Sequence, residues 1–155
     1  MSINQEVELL RRIPMFSKID PAKLRLLAFA SERVTFPSGE VLFHQGDPAD
    51  AAYLIIDGSV SVTVELASGP LLVAKVGKDQ IVGEIGIICD VPRTATITAE
   101  AQTVTLRITR DLFFQMINDF PVMGVEIMRV LAHRLEHTTA QLRNCQQRLN
   151  QVEHA

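Results

Sequence analysis

Residues 83–96 run Gly83-Glu84-Ile85-Gly86-Ile87-Ile88-Cys89-Asp90-Val91-Pro92-Arg93-Thr94-Ala95-Thr96. This stretch places one carboxylate, two glycines and one arginine in a short, mostly apolar segment, and Arg93 is its only cation. An arginine withdrawn from water needs an anionic partner, because an unpaired buried charge is costly. Glu84 or Asp90 can supply that partner from within. A ligand phosphate can supply it from outside, leaving Glu84 to accept hydrogen bonds from sugar hydroxyls. Glycines at 83 and 86 let peptide N–H groups approach an anion closely.

On either side of this stretch the sequence alternates with period two. Val34-Thr35-Phe36, Val41–His44, Tyr53–Ile56, Val60–Val64 and Leu71–Val76 precede or enter it as short strands, and Ala95–Ala99 and Val104–Ile108 follow. Turn chemistry separates them at Pro37-Ser38-Gly39, Gly46-Asp47-Pro48, Asp57-Gly58, Ser68-Gly69-Pro70 and Lys78-Asp79. Many short strands at this spacing predict a closed antiparallel roll or barrel. Helical period frames them. Residues 3–12 form one amphipathic segment, with Glu6 and Glu8 early and Arg11-Arg12 late, the order that suits a helix dipole. Asp20-Pro21 caps and starts a second helix with Leu24, Leu27 and Ala28 inward. Thr109 caps a third, which ends at Asp119-Phe120-Pro121, where the last and longest begins. The fold class is therefore α+β, an antiparallel, jelly-roll-like β-roll with N-terminal helices and a long C-terminal helix.

Composition narrows the function. The 155 residues are 47% hydrophobic and 21% charged, ordinary for one globular domain, and the net charge is −3. Nucleic-acid phosphates are bound by clustered Lys and Arg, and this balance offers no such surface. No apolar run reaches membrane-spanning length, and the N-terminus lacks the basic start and apolar core of a signal peptide. Cys89 and Cys145 form no metal-binding or redox spacing, so a reduced cytoplasmic compartment is expected. His44 stands alone in the strand region, and His133, His137 and His154 lie on the last helix without a third metal ligand. Neither a Ser/His/Asp nor a Cys/His catalytic set is present, so a non-enzymatic role and no metal are expected.

The string Gly83-Glu84, Gly86, Pro92-Arg93-Thr94-Ala95 resembles the phosphate-binding cassette of the cyclic-nucleotide-binding domain family. The turn strings at Gly39–Asp47 and Tyr53–Val60 fit the same family, and the resemblance runs from about Leu9 to about Thr139. It implies that Glu84 accepts from the ribose 2′-hydroxyl and that Arg93 pairs with the cyclic phosphate. It also implies that Thr94 offers its hydroxyl and that amides near Ile85, Gly86 and Ala95 add donors. A forked arginine contact suits a phosphodiester monoanion. The spacing between Glu84 and Arg93 is closer to the kinase and channel branches than to the catabolite-activator branch. The Arg-Thr-Ala order also occurs in cyclic-GMP-responsive members, where the Thr hydroxyl meets guanine.

The last helix carries two seams. Met128, Leu135, Leu142 and Leu149 repeat every seven residues, and Leu131, Thr138, Cys145 and Val152 follow three behind. This is an a/d heptad, with Arg148 and Glu153 placed to pair between parallel strands. The segments 1–127 and 128–155 are thus expected to be a ligand-binding roll and a homodimerising coiled coil through residues 128–152. In this helix the resemblance is closer to the catabolite-activator branch and places Thr138-Thr139 where hydroxyls meet the adenine amino group. Cyclic AMP is the expected ligand, with cyclic GMP the alternative. The activator branch continues into a DNA-binding motif that this chain, ending at Ala155, does not include, so no DNA binding is expected. The competing reading from another class is a ligand-free coiled-coil interaction module that keeps the fold.

Overall fold

A computed structural model describes residues 2–153; His154 lies outside the described residues, as do the extreme ends of the two expected segments. Helix α1 (Ile3–Arg11) starts at a capping box made by Ser2 and Gln5. A 3-10 turn at Pro14–Phe16 and helix α2 (Pro21–Ala30) follow. Asp20 Oδ1 accepts from the Ala22 amide at 2.9 Å, as a cap before an N1 proline should. Eight antiparallel strands come next: β1 (Glu32–Phe36), β2 (Val41–Phe43), β3 (Ala51–Asp57), β4 (Ser59–Leu66), β5 (Gly69–Gly77), β6 (Ile81–Val82), β7 (Thr96–Ala99) and β8 (Thr103–Thr109). A short helix, α3 (Glu84–Ile88), lies between β6 and β7. Helices α4 (Arg110–Asp119) and α5 (Pro121–Glu153) close the chain.

The strands form two four-stranded sheets, in the orders β1-β8-β3-β6 and β2-β7-β4-β5. β3 is buried on both faces, which is why Tyr53-Leu54-Ile55-Ile56 is a continuous apolar run and not an alternating one. Ala52, Leu54 and Ile56 join Leu106 and Ile108 under the helices, packing on Leu10, Phe16, Leu24, Phe113 and Met123. Tyr53 and Ile55 point the other way, into a core with Phe36, Val60, Val76, Val82 and Ile97 between the sheets. The molecule is thus layered, helices on one sheet and that sheet on the other. Fully burying each large side chain contributes on the order of 1.5–3 kcal/mol before entropy is counted.

The expected β-roll of α+β class is what forms. Two elements differ from the sequence pattern. β6 has only two residues, too few to show alternation. The Gly-rich stretch is not wholly loop: α3 occupies its first half. α5 is 33 residues long, about 50 Å at the α-helical rise. Its Met123 and Ile127 are buried, and Val130 and Leu131 pack on the core, as expected for the part up to Leu131. Further on, the seam residues Leu135, Leu142, Leu149 and Val152 are exposed, as are Thr138 and Cys145. Met128 is exposed already.

Candidate functional site

β6 delivers the chain to Gly83, which is left-handed at φ 84 and stands at the N-cap of α3. A side chain there is disfavoured twice. The backbone conformation suits glycine, and a Cβ would lie 2.7 Å from Arg93 Nη1. Gly86, buried within α3, is needed for a different reason: a Cβ would stand 2.6 Å from the Ala49 Cβ. The segment after β2 is zipped to the second half of the cassette. Gly46 N donates to Arg93 O and Arg93 N to Asp47 O, both at 2.8 Å.

Arg93 is 3% exposed. Its Nη1 donates to Gly83 O at 2.9 Å, and its Nη2 donates to Ala51 O at 2.6 Å and to Asp50 Oδ1 at 3.2 Å. The guanidinium stacks over Phe43, 3.9 Å from the ring centroid. Its Nε is buried and, among the described residues, has no hydrogen-bond partner. Burial pushes the Arg93 pKa below its usual value, with Asp50 opposing. Neither Glu84 nor Asp90, the two internal partners the sequence offers as the alternative to a ligand, pairs with Arg93. Arg93 pairs with Asp50, which also takes Arg107 Nη2 at 3.1 Å. Asp90 sits at the left-handed φ of 53 and faces out to Arg110 at 2.8 Å.

Glu84 opens α3 and is 1% exposed. Desolvation raises its pKa above 4.5, opposed chiefly by Arg134. Arg134, on α5, donates through Nη1 to Glu84 Oε1 and through Nη2 to Ile81 O, each at 2.5 Å. The sequence reading did not single out Arg134. A buried carboxylate implies a cationic partner, but nothing local indicates a residue fifty positions away.

The other expected residues fall as follows. Ile85 is exposed on α3, Thr94 is exposed, and Ala95 is half-buried just before β7. Thr138 and Thr139 are exposed on α5, and Thr138 Oγ1 donates to the Arg134 carbonyl at 2.9 Å. Among the described residues, neither threonine bonds the cassette; Arg134, one turn before them, does. Cys89 is exposed in the turn at the C-cap of α3. No group of three or more His, Cys, Asp or Glu able to hold a metal occurs among the described residues.

The structure brings together a buried arginine whose Nε–H has no partner among the described residues, a left-handed glycine packed on it and a buried carboxylate at a short helix. The family model for the cyclic nucleotide-binding domain matches residues 33–120, which contain all of these groups. The chain belongs to the cyclic nucleotide-binding domain family. It is 31% identical over 136 residues to a CRP-like cAMP-activated global transcriptional regulator of Mycobacterium tuberculosis, covering 87% of this chain and 61% of that protein. It is 28% identical over 130 residues to the lysophospholipase nte1 of Aspergillus oryzae, covering 83% of this chain and 8% of that enzyme. Among solved structures, the catabolite activator protein of Thermus thermophilus superposes with a TM-score of 0.74 at 26% identity, over 83% of this chain and 61% of that one. The chain therefore spans only part of each of these relatives. What they share with it is a cyclic nucleotide-binding regulatory domain, which occurs both in regulators and attached to an enzyme. No helix among the described residues is long and apolar enough to cross a membrane.

Proposed function

We propose that this chain is a non-catalytic cytoplasmic sensor that binds a 3′,5′-cyclic nucleotide, cyclic AMP in preference to cyclic GMP, and passes binding on through α5. The observation that carries this reading is Arg93. Its guanidinium is held by Gly83, Ala51, Asp50 and Phe43, yet its buried Nε–H lacks an acceptor among the described residues. An unsatisfied buried donor costs about 1–3 kcal/mol. A phosphate oxygen would relieve that cost and gain a charge-assisted bond. Gly83 and Gly86 keep side chains away from the cassette backbone, and the amides around Ile85, Gly86 and Ala95 are the further donors.

In this proposal Glu84 accepts the ribose 2′-hydroxyl. Thr138 and Thr139 meet the base and favour adenine, whereas Thr94 would favour guanine. The similarity to the cAMP-activated regulator of Mycobacterium tuberculosis supports the adenine choice. The roll, residues 1–127, is the sensor. Residues 128–152 are the homodimer interface, supported by the exposure of Leu135, Leu142 and Leu149 along one seam. Neither DNA nor a membrane is a partner of this segment in the proposal, and its output goes to a further domain or protein.

One observation favours the ligand-free interaction module: Glu84 already has a partner in Arg134. Binding of cyclic AMP and its 2′-deoxy analogue to wild type and Glu84→Gln separates the two. A sensor binds cyclic AMP saturably, and the substitution weakens cyclic AMP more than the deoxy analogue. An interaction module binds neither. Equal losses for the two ligands would make Glu84 structural.

A further inference from the structure

Phe43 reaches the Arg93 guanidinium because β2 is irregular. Val41 pairs with Thr98 and Phe43 with Ile97, so Leu42 is one residue more than the partner strand can match. In a regular strand, neighbouring side chains point to opposite faces. Here Leu42 and Phe43 both pack on the core between the sheets. A bulge re-aims a side chain in this way. Arg93 then stands over the Phe43 ring, 3.9 Å from its centroid, and Tyr53 stacks on the same ring at 6.0 Å with 29° between the planes. Phe36 meets Tyr53 edge-on at 5.9 Å, so the stack is backed by the core. A Cβ at Gly83 would come within 3.2 Å of Phe43 Cε1 as well as 2.7 Å of Arg93 Nη1, so glycine, ring and guanidinium close on one another.

We propose that Phe43 is a positioning residue of the anion site: its ring face sets the plane of the Arg93 guanidinium and so presents Nε–H to the phosphate. The proposal rests on the nucleotide-binding reading above and names the residue that prepares its arginine. The hydrogen bonds to Gly83 O, Ala51 O and Asp50 all leave from Nη1 and Nη2, the far end of the fork. Directions at carbonyl oxygens are broad, so these bonds fix the end of the group better than its tilt. A flat ring at stacking distance fixes the tilt. It covers a face of the guanidinium, where there is no N–H, and leaves every in-plane donor free to bond. It also keeps water off that face, so the arginine meets an anion already oriented and loses less freedom on binding. An aliphatic side chain would fill the same space without supplying a plane.

Two measurements on the full chain test this. The first needs no ligand: the Arg93 Nε–H resonance is identified by its loss in Arg93→Lys, and its exchange with water is followed. In Phe43→Leu, which keeps apolar bulk but loses the flat face, that exchange should quicken about tenfold. The change should exceed any in the amides of Ile55 and Val60, which report the core that Phe43 also touches. Phe43→Tyr, which restores the face, should bring Nε–H back to within about twofold of wild type. The second measurement titrates cyclic AMP. Phe43→Leu should weaken binding about five- to tenfold, the size of a partly desolvated cation–ring contact, and Phe43→Tyr should recover most of it. In the Arg93→Lys background, Phe43→Leu should cost less than about twofold, because an ammonium has no plane to set. If that background binds too weakly to titrate, the Nε–H exchange decides. Unchanged Nε–H exchange in Phe43→Leu, or an equal loss of affinity in both backgrounds, would make Phe43 a packing residue and overturn the proposal. If wild type binds cyclic AMP and Phe43→Leu binds it as tightly, the proposal falls and the nucleotide reading stands. If wild type binds neither cyclic AMP nor cyclic GMP, the nucleotide reading falls and the role of Phe43 toward a phosphate falls with it.

Discussion

Gly83 and Arg93 fix one another. Arg93 Nη1 donates to the Gly83 carbonyl at 2.9 Å, and the hydrogen on the Gly83 α-carbon points where a methyl group would lie 2.7 Å from that nitrogen. The left-handed φ of 84 brings the carbonyl to the guanidinium. Gly83→Ala should therefore cost about 1–3 kcal/mol of stability and weaken cyclic nucleotide binding about tenfold or more. Thermal denaturation and titration of the purified variant check this. Unchanged binding would mean that the glycine corner does not position Arg93.

Glu84 gives a pH signature. Burial raises its folded pKa above the ordinary 4.5, so the native state binds a proton more readily than the unfolded chain. Its contribution to stability is full below pH 4.5 and is lost as pH rises through the folded value. Glu84→Gln cannot titrate. Measured by denaturant unfolding, its stability relative to wild type should rise as pH climbs from 4.5 through the folded value. A pH-independent difference would show that the carboxylate is not shifted.

How much of this was legible in the sequence differed by element. Seven strands and four helices were legible because alternation, helical period and caps such as Asp20 and Thr109 are local signals. β6 was not, because two residues show no period, and α3 was hidden by the glycine at its start. The cassette residues were legible as a motif, but their partners were not. Arg93's ion pair lies at Asp50, and Glu84's at Arg134. Both partners come from elements remote in sequence, Asp50 before β3 and Arg134 on α5, and a sequence pattern carries no record of their approach to the cassette.

The seam of α5 predicts oligomeric state. Leu135 and Leu142 are each 68% exposed, unusual for leucines at a/d spacing unless a second helix covers them. Light scattering at micromolar concentration should give a dimer for the full chain and a monomer for Leu135→Asp with Leu142→Asp. The roll should still melt cooperatively, because neither leucine packs on it. A monomeric wild type, with and without nucleotide, would refute the homodimer.

Base selectivity should reside in the helix. The phosphate and ribose are common to both nucleotides, so Arg93 and Glu84 cannot discriminate. Thr138→Ala with Thr139→Ala should reduce the preference for cyclic AMP over cyclic GMP, because an unpaired buried polar group penalises the wrong base. Competition binding measures the ratio. An unchanged ratio, or a wild type that prefers cyclic GMP, would shift the choice to Thr94.

Whether Arg93 holds the phosphate of a cyclic nucleotide is decided by titration calorimetry of wild type and Arg93→Ala with cyclic AMP. Arg93 also ties Gly83 O, Ala51 O and Asp50 together, so the variant's melting curve must be recorded alongside to show that it remains folded. Wild type should bind saturably at one site per chain. In Arg93→Ala the loss should be on the order of 2–5 kcal/mol, the usual cost of removing one member of a desolvated charge pair. No binding by wild type, or near-equal affinity in a folded Arg93→Ala, would contradict it.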